Sequence, residues 1–384
     1  MTRAALFLCL AFSLTASEVR LERVPNRGIQ PQAVVDPQGT LHLLYFSGDP
    51  AGGDLFYVKR PPGAGDFSTP VRVNSQPGSA IAAGTIRGGQ LALGRNGLVH
   101  VAWNGSSKAQ PKGPKNPEMA ADSPYNGTPM LYARSSGSGF EPQRNLMQST
   151  FALDGGGTVT ADGQGNVMVA WHAASKGQAK GEAGRAVWAA RSSDDGATFA
   201  SEARISPDPG EGACACCGMR MFAAISGAVY GLYRSAEQTV HRDIHLLSAQ
   251  SPTGPFRDTL LDPWNIGACP MSSISFAEGS GEVVAAWETA GQIHWSAIPP
   301  RGKPNAAPDS GLNRKHPTIA RSAGGRLLLA WSEGTGWKKG GSIAWQVYGA
   351  AGKPDGTPGS APDLPAWSFP SAVALPDGGF LILY

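Results

Sequence analysis

A repeat constrains this chain more than any other feature. Seven passages carry an apolar strand, a turn containing glycine, and a second strand closing on an aromatic residue. They span residues 31–45, 87–103, 156–171, 219–233, 270–287, 317–331 and 370–384. The closing aromatics are Tyr45, Trp103, Trp171, Tyr233, Trp287, Trp331 and Tyr384. Both strands are mostly apolar, the pattern of a sheet covered on two faces. A third strand follows in six units, at residues 55–59, 130–134, 186–191, 243–248, 292–297 and 342–347. A fourth follows at residues 70–74, 142–146 and 202–205. Four antiparallel strands, repeated, are the blades of a β-propeller. The expected fold class is all-β, with seven four-stranded blades. The last unit stops after its second strand, which leaves six blades as the alternative. Residues 18–23 (EVRLER) resemble the fourth strands and are expected as the outer strand of the last blade. Joining the N- and C-terminal strands in one blade closes the ring and removes its edges.

A closed ring of repeats can spend residues 18–384 on one domain. No stretch carries a long helical period. The net charge of +3 leaves no footprint for nucleic acid. Residues 1–17 read as a signal peptide, with Arg3, an apolar core and a Thr15-Ala16-Ser17 cleavage site. Cys9 lies inside it. No other apolar run is long enough to span a bilayer. The expected location is secreted or periplasmic, where disulfides are permitted. Insertions at residues 105–128, 173–184 and 334–341 each follow a second strand, so all three are expected on one face.

One turn carries a family signature. Ser192-Ser193-Asp194-Asp195-Gly196-Ala197-Thr198-Phe199 matches the Asp-box pattern S-x-D-x-G-x-T-[WF]. Phe67, Phe140 and Phe256 mark weaker copies in other units. The chain thereby resembles the sialidase (neuraminidase) superfamily of BNR/Asp-box propellers. In that family Ser192, Asp194, Gly196, Thr198 and Phe199 would be structural, away from the active face. The resemblance implies an exported glycan-recognising protein or glycoside hydrolase of the exo-sialidase type. Such an enzyme uses an arginine clamp, a tyrosine nucleophile and carboxylates. Here the candidates are Arg87, Arg220, Arg234 and Arg242, with His172, for binding, and Tyr233, Asp243 and Glu288 for catalysis. The expected first-blade Arg-Ile-Pro motif is absent; the chain reads Asn26-Arg27-Gly28-Ile29-Gln30-Pro31.

The residues just after the closing aromatics should line one mouth: Asn104, His172, Arg234, Glu288 and Ser332. The cysteines gather there too. Counting back from the aromatics puts Cys217, Cys269 and His316 at matching places in three consecutive units. Cys214 and Cys216 lie beside Cys217. Three readings stand open: disulfides such as Cys217–Cys269, a reactive thiol, or a metal site. Cys214, Cys216, Cys217, Cys269 and His316 would form a soft cluster suited to copper or zinc. The spacing is read as matching no C-x-x-C pair and no C-x-x-C-H, so neither a standard zinc knuckle nor a haem attachment is expected. The alternative function is a non-catalytic propeller, a binding or assembly module for a protein partner, with a metal or disulfide cluster fixing its loops. His42 with His100, and His245 with His294, recur at matching strand positions and are expected in packing.

Overall fold

A computed structural model describes residues 19–207, 210–309 and 313–384. The expected leader, with Cys9, lies outside the described residues. The described chain forms seven sheets arranged as a ring. Their first strands are Ile29–Val35, Gln90–Leu93, Thr158–Ala161, Arg220–Ala223, Ser275–Gly279, Arg314–Arg321 and Ser371–Ala374. Each first strand touches the next, and the last touches the first, so they surround the axis. The protein is a seven-bladed β-propeller, and the six-bladed alternative falls. Six sheets have four strands on the main path, and the closing sheet has three.

The second strands explain the repeat. Leu41–Ser47, Val99–Asn104, Val167–Ala173 and Val229–Arg234 are almost wholly buried, as are their counterparts in blades five to seven. Each is covered on both faces by neighbouring blades, so alternation is lost. The closing aromatics are among the largest fully buried side chains: Trp103, Trp171, Trp287, Trp331, Tyr45 and Tyr233. Truncating one such ring to alanine costs about 3–5 kcal/mol.

Val19–Glu22 closes the ring beside Phe380–Leu383. The backbone clasp continues outward, with Val24 N–H donating to Tyr384 O and Tyr384 N–H to Glu22 O, both at 3.1 Å. The N-terminal strand is outermost in its blade, as expected. It runs parallel to its neighbour, however, in a sheet of three. Three fourth strands escape sequence detection: Arg257–Asp262, Asn305–Ala306 and Gly359–Leu364. They lie on the outer rim, where burial imposes little pattern.

The Asp box forms the hairpin from Ala186–Ser192 to Ala203–Arg204. Asp194 Oδ1 accepts from Thr198 N–H at 2.9 Å and Oδ2 from the Thr198 hydroxyl at 2.7 Å. These bonds hold its carboxyl low, at about 2. Gly196 donates to Ser192 Oγ at 2.9 Å with φ +73°. Phe199 meets Tyr132 of blade two edge-on at 4.8 Å. Phe140 repeats the contact on Tyr57 of blade one. The box is thus a staple between blades. Among the described residues, no helix is long and apolar enough to cross a membrane.

Candidate functional site

The residues after the closing aromatics form a buried belt rather than an open lining. Asn104, His172, Arg234, Glu288 and Ser332 are all at most 3% exposed. Four of them hydrogen-bond to neighbouring backbone. Asn104 Nδ2 donates to Gly155 O at 2.7 Å. Ser332 donates to Lys315 O at 2.9 Å. Arg234 donates to Arg242 O at 2.5 Å and to Glu288 O, and its guanidinium lies 5.1 Å from the Trp264 ring centre. Glu288 Oε2 lies 3.7 Å from Arg234, while Oε1 accepts the Gly291 amide at 2.7 Å. Burial raises the Glu288 carboxyl, against the opposing Arg234 charge. His172 is held near 4, chiefly by burial and then by Arg185, so its imidazole is neutral at pH 7.

Above this belt lies the cysteine loop. Cys214 N–H donates to Arg234 O at 2.9 Å, and Gly218 N–H to Ser272 O at 2.9 Å. Those bonds curl the segment so that its sulfurs converge. Cys214 Sγ lies 3.5 Å from Cys216 Sγ and 3.4 Å from Cys217 Sγ. Cys214 and Cys217 are buried; Cys216 is half-buried. Cys216 also faces Cys269 and Glu182, with all three ligand atoms within 4.8 Å of one another. Glu182, on the blade-three insertion, accepts the Ala215 amide at 2.9 Å and Arg242 Nη2 at 2.7 Å. Arg242 is buried, and its Nε and Nη1 meet no hydrogen-bond acceptor. Burial opposes ionisation of Cys217. Hydrogen bonds from Cys214 and Cys216, the Arg234 charge and the Ser272 backbone bond override it and hold the thiol well below its ordinary range. The hydrogen bonds that favour a Cys217 thiolate keep Cys216 protonated.

Two expectations about the cysteines change. All four described cysteines are free, with no pair at bonding distance. The expected match of Cys217, Cys269 and His316 also fails. Strand register makes Arg220, Ser275 and Thr318 equivalent, each paired with the residue before a closing aromatic. The counterparts of Cys217, three residues earlier, are then Ser272 and Lys315. Cys269 lies three residues further out, and is exposed. His316 sits in the strand at a register shift with φ +51°. Its Nδ1 contacts Ser273 Oγ at 3.3 Å and its ring packs on Phe369, outside the sulfur cluster. The counts back from the closing aromatics differ by a few residues, and loop length together with the register shift beside His316 turns that difference into a change of place. Glu182 was not foreseen. Its signal was a lone carboxylate on an insertion sharing the cysteines' face. The expectation that no C-x-x-C pair is present also falls: Cys214 and Cys217 have that spacing, with Cys216 inside it.

The remaining candidates do not converge on one point. Tyr233 lies inside blade four and donates to Asp258 at 2.6 Å. Burial and the Asp258 charge raise its phenol strongly. Asp243 accepts the Trp264 amide at 2.5 Å and sits beside Glu211 and His245. Arg87 pairs with Asp154. Arg220 reaches Gln32 across the axial channel at 2.9 Å. Arg234 and Arg242 belong to the cysteine site. His42 and His100 hydrogen-bond Tyr57 and Tyr132 at 2.6 and 2.7 Å, and His245 and His294 face Asp258 and Asp262. A separate mouth pocket of about 330 Å³ is bordered by Arg87, Tyr125, Asp154 and Arg185.

No protein-family model matches the sequence, and none of the curated proteins matches it. Solved structures do share its fold. An ulvan lyase of polysaccharide lyase family 25 aligns at 10% identity and TM-score 0.51, over 90% of this chain and 87% of the other. The α-L-arabinofuranosidase Arb93A of Fusarium graminearum aligns at 11% and 0.50, over 90% and 98%. The Hadza microbial sialidase Hz136 aligns at 12% and 0.48, over 79% of this chain and 63% of the sialidase. At these identities the likeness to the ulvan lyase and the arabinofuranosidase establishes the β-propeller fold alone.

Proposed function

We propose that the protein binds a soft, thiophilic metal ion, copper(I) or zinc, on the cysteine loop at its mouth. The carrying observation is the group of three free sulfurs, with Cys214 at 3.4–3.5 Å from the other two. That is far beyond the bond length of a disulfide, about 2.05 Å. It is close to the separation of about 3.8 Å that sulfurs adopt around an ion at a metal–sulfur distance of about 2.3 Å. Arg234 and Arg242 supply the positive charge that several buried thiolates require. Arg242 has nitrogens that no oxygen satisfies. With export, as the leader implies, a bound metal would also protect these thiols from oxidation. Protein purified reduced and without chelator should carry copper or zinc in stoichiometric amount. Cys217→Ser should lose most of it while keeping its β-sheet spectrum. A metal-free wild type, under both copper(I) and zinc loading, would end this reading.

A second reading is favoured by the neighbouring pocket. Tyr125 and Trp337 stand 62% and 63% exposed on two of the insertions. Tyr125 borders the 330 Å³ cavity together with Arg87 and Arg185. Exposed aromatic faces with nearby arginines suit a sugar carrying an acidic group. The ulvan lyase and arabinofuranosidase named above act on glycans. On this reading the mouth recognises a glycan. The scattered arginines favour binding over exo-sialidase hydrolysis. Tyr125→Ala should weaken capture of acidic oligosaccharides at least tenfold. Turnover of a sialoside, abolished by Asp243→Ala, would instead restore the hydrolase.

A further inference from the structure

We infer that the cysteine cluster holds two ions that share the Cys216 sulfur. This rests on the metal-binding reading above and adds a second, outer position to it. Cys216 Sγ belongs to two ligand sets. One is the inner set with Cys214 and Cys217; the other is the outer set with Cys269 and Glu182. In each set the ligand atoms lie within 4.8 Å of one another. Cys269 does not join Cys214 and Cys217 in such a set, so the four sulfurs do not frame a single four-cysteine centre. A thiolate has lone pairs enough to bridge two ions, and Cys216 is the one cysteine placed to do so.

The two positions differ in character. The inner one is three sulfurs, with Cys214 and Cys217 buried and Cys216 half-buried. The outer one pairs two sulfurs with a carboxylate, and Cys269 is exposed. Glu182 is fixed for this role before any ion arrives. Its oxygens accept Ala215 N–H and Arg242, and each retains lone-pair capacity. Arg242 and the Ala215 amide thereby tie the outer carboxylate to the cysteine loop. Four thiolates and one carboxylate, set against two ions and two arginines, balance to within about one charge. The outer position faces solvent and shares a ligand with the inner one. An ion can therefore enter by exchanging partners at Cys216 without leaving sulfur.

The test is a titration of the reduced, full-length protein under anaerobic conditions. Zinc and, separately, copper(I) are added against a competing chelator. Wild type should take two equivalents and Cys269→Ser one. Glu182→Gln should weaken only the second equivalent, by about tenfold. X-ray absorption of the doubly loaded protein should show a metal–metal distance below about 4 Å, absent in Cys269→Ser. One equivalent in wild type, unchanged in Cys269→Ser, would overturn the two-ion inference and leave the single site standing. No equivalent at all would remove both. Circular dichroism of each variant separates lost binding from lost fold.

Discussion

Arg242 brings two unsatisfied guanidinium nitrogens into a buried site beside sulfur. Its Nη2 pairs with Glu182, but two buried donors left without acceptors are costly unless an anion beside them completes the shell. Arg242→Met should therefore weaken metal binding by about tenfold, or about 1.4 kcal/mol, as read by chelator competition, while the ring stays folded. The type of residue was legible in the sequence, because arginines, cysteines and carboxylates follow closing aromatics or enter first strands. Their assignments were less so. His316 resembled a ligand because counting back from Trp331 set it level with Cys217 and Cys269, yet it lies at a register shift with its ring on Phe369. His100 offers a pH test clear of the mouth. Burial holds it near 4, against about 6.5 in an unfolded chain. The folded protein keeps it neutral, so the unfolded state binds the extra proton between those values. Stability should be full above pH 6.5 and fall by about 3 kcal/mol as the pH drops toward 4. Denaturation midpoints of wild type and His100→Asn should converge as the pH falls through that window. A constant difference would show that His100 does not titrate there.

Among the elements, the Asp-box hairpin was the most legible and the outer strands the least. The box is local chemistry: a carboxylate accepting nearby amides and a glycine at positive φ. Gly196 serves both backbone and packing. A Cβ there would lie 1.9 Å from the Tyr132 hydroxyl, and φ is +73°. Gly196→Ala should cost about 2 kcal/mol or more in chemical denaturation. Adding Tyr132→Phe should recover the part due to the hydroxyl and leave the part due to φ. If the second change recovers nothing, blade-to-blade contact is not what the glycine serves. Gly359–Leu364 shows the opposite case. Its sequence, GSAPDL, has exposed residues and a proline, tolerated because the strand lies at a sheet edge. Nothing in such a strand marks it before its neighbour is known.

At the scale of the molecule, blade number followed from counting buried second strands, because every blade must bury one between its neighbours. Closure was legible as a pairing of the two ends, but not its direction. Four residues, VRLE, pair equally well either way, and only the path from Val24 under Tyr384 sets the parallel course. That strand does more than cover an edge. Val24 packs in a core cluster with Leu41, Tyr45 and Leu383. Glu22 takes both nitrogens of Arg60 at 2.9 and 3.0 Å, tying blade seven to blade one. A chain beginning at Pro25 would lose these contacts together and expose the edge of Phe380–Leu383. It should unfold at a lower temperature, lose a single cooperative transition and associate through the bared edge. Adding the peptide of residues 18–24 in trans should restore the transition, since the strand contributes pairing rather than connectivity. A truncated protein that melts as wild type does would mean that six complete blades and a two-stranded seventh hold the ring without the clasp.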